Sequence, residues 1–282
     1  MEWMIVTDSS CDLKQLDTGS PQVGFSTVPF IMDIEGREYV DNPDLDVPAM
    51  VDAMEAAKSS HSACPSPDAW QSAFQQADKT LALTISSRLS GSFNSALVGK
   101  SMAQEENPGK EIEVVDSLST GPKLVMQAQL ALKMIQEHAS LAEVTEACRN
   151  LAARGRTIFT LNSFHNLVQN GRVGRLTGFL ASKLGVRVIG VGSPEGEIQM
   201  KEVVRGEMRT MRKIVKDMEE NGYAGDEMVI SHCMNESAAR SLIAMIQEKW
   251  QNAKVLLLPT RGLDSYYAER GGLIICYPMA AV

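Results

Sequence analysis

The sequence predicts an α/β protein with two α/β domains: an N-terminal domain with a mainly parallel sheet flanked by helices, and a smaller C-terminal domain with a mixed sheet. First, short apolar runs alternate with helical segments in the first half, as in βαβ units. Second, strand-like segments follow one another more closely after Gly155, which places the domains at residues 1–155 and 156–282. Third, 282 residues, 44% of them hydrophobic, suffice for two modest cores or one large one.

In the N-terminal half, apolar runs bounded by polar turns predict strands, and longer amphipathic segments predict helices. Glu35-Gly36 fits a hairpin turn, Pro48 fits the first turn of a helix, and Asn107-Pro108-Gly109 ends another helix. In chain order, we predict strands over 4–6, 23–30, 31–34 and 38–40, a helix over 48–57, a polar loop over 59–67, a helix over 68–77, a strand over 81–85, a helix ending near 106, a strand over 112–115, and helices over 121–137 and 141–154.

In the C-terminal half, the same patterns predict a mixture of strands and helices. Residues 190–196 nearly match a dinucleotide-binding fingerprint, but the third glycine is one place late and a turn and strand follow where a helix is required. In chain order, we predict a strand over 157–161, helical pieces over 164–169 and 176–184, strands over 186–191 and 198–203, a helix over 207–221, a strand over 228–231, a helix over 237–250, and strands over 255–258 and 273–277.

The charge balance and the cysteine count argue against several classes of protein. With 27 Lys and Arg against 35 Asp and Glu, the formal charge is -8, so we expect no nucleic-acid partner. The five cysteines are odd in number and lack Cys-x-x-Cys spacing, which favours the reducing cytoplasm over a disulfide framework or a zinc site. We see no signal peptide and no apolar run of the ~20 residues that would span a bilayer.

The loop after the predicted strand 81–85 is the strongest candidate for a ligand site. In a parallel α/β sheet, ligands bind at the carboxyl ends of the strands. This loop carries several serines, and Ser90 precedes Gly91, which would let a ligand approach the backbone closely. Because the loop holds no obvious acid, base or metal ligand, it indicates binding through hydrogen bonds rather than catalysis.

Other loops also carry hydroxyl groups, namely Asp8-Ser9-Ser10, residues 59–62 and Asp116-Ser117. Together with backbone N–H groups at a helix start, such hydroxyls suit an anionic or polar head group. Helix capping is the alternative for each of them, and for Ser9 and Ser117 it is the commoner role.

Two arginines stand beside glycines in the C-terminal half. Arg172 lies in the segment Asn170-Gly171-Arg172-Val173-Gly174-Arg175, and Arg205 precedes Gly206. Guanidinium groups in such loops can recognise a carboxylate or a phosphate, and a solvated turn is the alternative. The basic residues that follow Arg205 at helical spacing fit a solvated face, or a contact with an acidic partner or anionic lipid.

Other functional classes stay open at this point. Ser90, His165 or His232, and Asp8 could form the triad of an acyl-ester hydrolase, although no spacing links a nucleophile to a base. A kinase-like transferase could use Ser90 or Asp8. A regulatory module that binds another small anionic ligand is the third interpretation.

Five short motifs lie in order along nearly the whole chain: Thr7-Asp8-Ser9-Ser10-Cys11-Asp12, Ser62-Ala63-Cys64-Pro65-Ser66-Pro67, the segment 89–96, the segment 161–174, and Arg205-Gly206. In this order they resemble the opening Thr-Asp-Ser, the Thr-Ser-Gln-Pro loop, the Leu-Ser-Gly-Thr-Tyr-x-Ser-Ala segment, the Gly-Gly-Arg-Ile segment and the Arg-Gly pair of the DegV family, the bacterial fatty-acid-binding proteins. Each motif alone is weak, but five in order make the resemblance strong.

The resemblance implies that a long-chain fatty acid lies in an apolar tunnel between the two domains, with its carboxylate held by Ser62 and Ser90. It further implies a lipid carrier that has no catalytic activity and needs no cofactor. The carrier would present the fatty acid to a fatty acid kinase subunit, and Arg205 would dock to the kinase or make transient contact with a membrane. The remaining candidate ligand-binding residues are Gly91, Asp8, Ser9, Arg172 and Glu269.

The chain departs from the family pattern at its C-terminal motif. Where the family has His-x-Gly-Pro-Gly, this chain has Glu269-Arg270-Gly271-Gly272, so the head-group histidine is missing. A glutamate at that place would repel a carboxylate unless Arg270 or another cation neutralises it. We therefore expect an altered head-group site.

Overall fold

The computed structural model describes residues 1–173 and 186–279, and the predicted helix over 176–184 lies outside them. Before residue 155 the elements are β1 (Trp3–Asp8), β2 (Val23–Val28), β3 (Ile31–Ile34), β4 (Arg37–Val40), α1 (Val47–Ala56), β5 (Ser60–Ala63), α2 (Pro67–Phe74), β6 (Lys79–Thr84), α3 (Ser92–Glu106), β7 (Glu111–Asp116), α4 (Pro122–Gln136) and α5 (Leu141–Arg154). After it come β8 (Gly155–Leu161), α6 (His165–Gln169), β9 (Val186–Gly192), β10 (Ile198–Arg205), α7 (Glu207–Glu220), β11 (Glu227–His232), α8 (Glu236–Lys249), β12 (Lys254–Pro259), α9 (Gly262–Ala268) and β13 (Leu273–Pro278).

Sheet A is fully parallel, in the order β2-β1-β6-β7. Its strands are apolar on both faces, as expected for a parallel sheet covered by helices. Leu81 and Leu83 pack with α4 and α5, whereas Ala82 packs with α2 and α3. The predicted parallel sheet with flanking helices is therefore confirmed.

Sheet C is mixed and contains six strands in the order β10-β9-β8-β13-β11-β12. Strand β13 lies between β8 and β11 and runs antiparallel to both. Helices α7 and α8 cover one face, where Ile214, Leu242 and Ile246 are buried against the strands. All six strands follow Arg154, which supports the proposed domain boundary near residue 155; the boundary itself stays a prediction.

Two elements were not predicted. The segment 59–67 was expected to be a polar loop, but its residues Ser60–Ala63 form β5, which pairs antiparallel with β3 in the three-stranded sheet B. Strand β5 has no apolar alternation, so its pairing with β3 fixes its conformation. Helix α9 is short and begins at Gly262, so it lacks the usual capping side chain. Both elements form part of the site described below.

All five cysteines are free thiols; Cys64 is exposed and the other four are buried. Within residues 1–173 and 186–279, no group of His, Cys, Asp and Glu side chains is arranged to hold a metal ion. Over the same residues, no helix combines the length and the apolar character needed to cross a bilayer.

Candidate functional site

Two adjoining cavities lie between sheet A and sheet C. The mouth cavity, of about 340 Å³, is lined by Ser62, Cys64, Ser90, Gly91 and Arg172 together with apolar residues. The inner cavity, of about 70 Å³, is lined mainly by apolar side chains from β8, β10 and β13. Both cavities share the residues Leu89, Thr120, Leu167, Ile198, Asp264 and Tyr267. The two therefore form one passage, polar at the mouth and apolar inside.

The Ser90 loop lies where the sequence predicts it, between the end of β6 and the start of α3. The N–H of Ser90 donates to the carbonyl oxygen of Ser86 (3.1 Å), and its Oγ accepts from the N–H of Ser92 (3.2 Å). The hydroxyl proton of Ser90 is thus available for a ligand. Gly91 precedes α3, whose N-terminal N–H groups favour a negative charge nearby.

Ser62 lies on β5 and lines the mouth cavity, as Ser90 does. Its Oγ is 2.8 Å from the Oη of Tyr267 on α9. Burial raises the pKa of Tyr267, and the hydrogen bond with Ser62 and the charge of Arg172 partly oppose that rise, so the phenol is neutral at pH 7. Tyr267 is not among the residues that the sequence predicts for the site, because no local pattern places it beside Ser62.

Arg172 reaches the mouth cavity from the turn after α6. Its N–H donates to the carbonyl oxygen of Leu167 (2.8 Å), and its Nη1 donates to that of Asn170 (2.7 Å). The latter contact uses one of the five N–H groups of the guanidinium. The structure thus brings Ser62, Ser90, Gly91 and Arg172 together, as the sequence predicts.

Asp8 and Ser9 lie behind the cavity, not among its lining residues. The buried carboxylate of Asp8 accepts from the Oγ of Ser92 (2.7 Å) and the N–H of Ile85 (2.9 Å), and burial raises its pKa. Ser9 Oγ accepts from the N–H of Phe30 (2.9 Å). The prediction that these two residues contact a ligand is therefore corrected: they hold in place the loops that do line the mouth.

Glu269 also lies away from both cavities. Its Oε1 accepts from the N–H of Asn166 (3.1 Å) in the first turn of α6, where a negative charge is favoured. Arg270 does not neutralise it, because its guanidinium donates to Asp52 (2.5 Å) and Glu55 (2.9 Å) on α1. Glu269 is not among the residues that line the cavities, and its effect on a bound carboxylate stays a prediction.

Helix α9, which carries Tyr267, is held by two buried carboxylates from the N-terminal part of the chain. Asp41 accepts from the N–H groups of Gly262 (3.0 Å) and Leu263 (2.8 Å), and Asp12 accepts from that of Arg261 (2.8 Å). The guanidinium of Arg261 donates hydrogen bonds to the carbonyl oxygens of Leu13 (2.9 Å) and Asp41 (2.7 Å). These contacts fix α9 against sheet B and β1.

Asp264 projects from α9 into the wall shared by the two cavities. Its Oδ1 accepts from the Oγ1 of Thr120 (2.5 Å), while its Oδ2 and the Oδ2 of Asp12 are buried and find no hydrogen-bond partner among the residues that the structure describes. A side chain at Gly121 would collide with both of these oxygens, so they face each other across that glycine. Burial raises the pKa of both acids, that of Asp12 to about 7, and the charge of Asp12 raises that of Asp264 further.

Arg205 is exposed at the end of β10, the strand whose first residue, Ile198, lines both cavities, but Arg205 itself lines neither of them. Val203 and Met208 beside it are also exposed. The arrangement leaves a cationic and partly apolar surface next to α7, and its predicted docking role stays a prediction.

Comparisons with known proteins agree with this architecture. The model of the DegV family, described as uncharacterised proteins, matches residues 2–276. A DegV domain-containing protein of Streptococcus gordonii is 35% identical over 278 residues, which covers 98% of this chain and 99% of that protein.

Two solved structures are similar over almost their full length. The Fatty Acid Kinase (Fak) B3 protein of Streptococcus pneumoniae, loaded with linoleic acid, has a TM-score of 0.95 at 34% identity and covers 99% of this chain and 100% of its own. A DegV family protein of Eubacterium eligens, loaded with heptadecanoic acid, has a TM-score of 0.93 at 34% identity with the same coverage. Sequence and structure agree on one assignment: the chain belongs to the DegV family.

Proposed function

We propose that this protein is a non-catalytic carrier that binds a long-chain fatty acid, with the carboxylate at the polar groups of the mouth cavity and the acyl chain along the apolar surface of both cavities. The observation that carries the proposal is the continuity of an apolar passage with a mouth that holds Ser62, Ser90 and Arg172. Two relatives of 34% identity hold linoleic acid and heptadecanoic acid, which supports the same class of ligand here.

The two parts of such a ligand match the two parts of the passage. Leu118, Phe159, Leu161 and Ile274 offer apolar surface to an acyl chain. About ten buried methylenes at ~0.8 kcal/mol each would contribute about 8 kcal/mol before the costs of association. The carboxylate would accept hydrogen bonds from the hydroxyl groups of the mouth and would lie near the guanidinium of Arg172 and the N-terminus of α3.

Removal of either serine hydroxyl is expected to weaken binding while the fold survives. Ser90→Ala and Ser62→Ala should each raise the Kd for oleate about tenfold, since a hydrogen bond to a charged group contributes about 1.5 kcal/mol or more. Isothermal titration calorimetry on delipidated protein measures the Kd, and mass spectrometry of denatured protein identifies any acyl chain that copurifies.

Ser101→Ala is the matched control for these variants. Ser101 lies on α3, is exposed, and donates only to the Leu97 carbonyl oxygen of its own helix (3.3 Å), so its loss should leave the Kd unchanged. Equal affinity in all three variants would remove the head-group assignment. Repeated recovery of the protein with no acyl chain and no measurable oleate binding would overturn the proposed function.

The geometry gives less support to a serine hydrolase. Within the described residues, the hydrogen bond at Ser90 Oγ comes from the backbone of Ser92, and no histidine contacts it. His232 instead accepts at Nδ1 from the N–H of Asn235 (3.2 Å), and burial lowers its pKa. The exposed free thiol of Cys64 fits a cytoplasmic location, which we propose for the carrier.

We further propose that the bound carboxylate is presented to a fatty acid kinase, with Arg205 as a docking residue. Arg205→Ala should lower the rate of acyl phosphate formation by a bacterial fatty acid kinase at least about tenfold, while the Kd for oleate stays unchanged. Lys216→Ala is the control, because Lys216 is exposed on α7, the helix that follows Arg205, and pairs with Glu220. Equal phosphorylation with both variants would contradict the docking role of Arg205.

A further inference from the structure

Tyr267 stands at the junction of the two cavities. It lines both of them, whereas Ser62 and Ser90 line only the mouth. A ligand that occupies both cavities therefore lies beside Tyr267. Its hydroxyl lies at the polar end, 2.8 Å from the Oγ of Ser62.

A count of protons indicates what this pair of hydroxyls can offer. Each hydroxyl has one proton to donate, and the hydrogen bond between Ser62 and Tyr267 uses one of the two. The other proton is free to bind a ligand. When Ser62 donates to Tyr267, the free proton is that of the phenol, which is the more acidic of the two hydroxyls. Because a hydroxyl that already accepts a hydrogen bond donates more strongly, Ser62 would strengthen the phenol as a donor. With the hydroxyl of Ser90, the mouth then holds two donors for the two oxygens of a carboxylate.

The position of the phenol is fixed by its helix. Asp41 and Asp12 anchor the start of α9, and the neighbouring Tyr266 is buried, with its hydroxyl 2.8 Å from Ser60 Oγ and 3.0 Å from Asn170 Nδ2. The two tyrosine rings meet edge to face, with centroids 4.8 Å apart. The donor is therefore held in place before a ligand arrives, which lowers the entropic cost of binding.

We propose that Tyr267 is a head-group ligand of this protein, whose hydroxyl accepts from Ser62 and donates to the carboxylate of the bound fatty acid. This inference rests on the proposed function. It assigns to the mouth a second neutral donor beside Ser90, in a chain whose C-terminal motif lacks the expected histidine.

The test compares two tyrosines with two ligands. Tyr267→Phe is expected to raise the Kd for oleate about tenfold but the Kd for methyl oleate less than about twofold, because the ester lacks the charge that strengthens the bond. Tyr223→Phe is the control: the hydroxyl of Tyr223 donates to the carbonyl oxygen of Asp226 (2.6 Å) and the residue lines neither cavity, so the variant should lower the melting temperature but leave both Kd values unchanged. Both are measured by calorimetry on delipidated protein.

A double-mutant cycle with Ser62→Ala adds a second readout. If the hydroxyl of Ser62 acts on the ligand through that of Tyr267, Ser62→Ala combined with Tyr267→Phe should weaken oleate binding by much less than the product of the single effects. An unchanged Kd for oleate in Tyr267→Phe, or equal weakening for the acid and the ester, would overturn the inference while leaving the carrier function intact. A wild-type protein that binds no oleate would instead defeat the proposed function.

Discussion

Replacement of Arg261 by alanine is expected to lower the free energy of unfolding by about 3–5 kcal/mol, the range found when one partner of a buried ion pair is removed. Arg261 is only 2% exposed, and it donates to the carbonyl oxygens of Leu13 and Asp41. Its Nε also lies 3.6 Å from the carboxylate of Asp41. Without the guanidinium, the buried carboxyl groups at the start of α9 would lose the cation that faces them.

Arg240→Ala is the control for Arg261→Ala. Arg240 is exposed on α8 and pairs with Glu236 one turn away, so its loss should change the free energy of unfolding by less than about 0.5 kcal/mol. Urea denaturation at pH 7, followed by circular dichroism, measures both variants. A loss of less than about 1 kcal/mol in Arg261→Ala would show that the buried guanidinium does not hold the two halves of the chain together.

A second large effect is expected from pH. The free energy of unfolding should fall by on the order of 3 kcal/mol as the pH rises from 4 to 8, because the native protein holds a proton that the unfolded chain releases. Burial raises the pKa of Asp12 from 3.8 to about 7, and Asp264, whose pKa is also raised, faces it. The stabilisation is complete below pH 4 and is lost as the pH passes through about 7.

Asp12→Asn tests this origin of the pH dependence. The amide oxygen can still accept from the N–H of Arg261, and the amide group does not titrate between pH 4 and pH 8. We therefore expect a folded variant whose stability changes much less between pH 4 and pH 8. Asp44→Asn, at an exposed position, should retain the wild-type slope. The same slope in Asp12→Asn as in wild type would assign the pH dependence to other groups.

Much of the fold follows from local patterns. The apolar run 81–85 ends in serines and is followed by a helix, and the same sequence of events recurs at 112–115, so sheet A could be predicted. The starts of helices α2 and α5 also depend on local sequence, since Ser66 and Ser140 cap them with their side chains. These features depend on neighbours in sequence, which is why the sequence alone suffices for them.

The elements that complete the site depend on contacts distant in sequence. Strand β5 is Ser-His-Ser-Ala, which becomes a strand through pairing with β3. Helix α9 begins where Asp41 and Asp12, more than 200 residues earlier, accept its first N–H groups. No pattern within 262–268 carries that information, so Tyr267 could not be placed beside Ser62.

The candidate site residues divide for a similar reason. Ser62, Ser90, Gly91 and Arg172 meet at the mouth, and their role as ligands stays a prediction that the serine variants test. Asp8 and Glu269 belong to the same set of sequence motifs. Their carboxylates, however, accept hydrogen bonds from N–H groups of other segments. The motif spacing indicates which loops belong to the site, whereas the direction in which each side chain points can be determined only from the tertiary structure.

The central position of β13 in sheet C has a consequence for the co-translational folding of the protein. Strand β13 joins β10-β9-β8 to β11-β12, and without it the sheet is two separate pieces. Synthesis must therefore pass Pro278, and that segment must leave the exit tunnel, before the sheet can close. Sheet A, whose strands end by residue 116, can assemble long before that moment. The cavities between the two sheets therefore form last during translation. A nascent chain that stalls in α9 can contain a folded sheet A but no closed cavity.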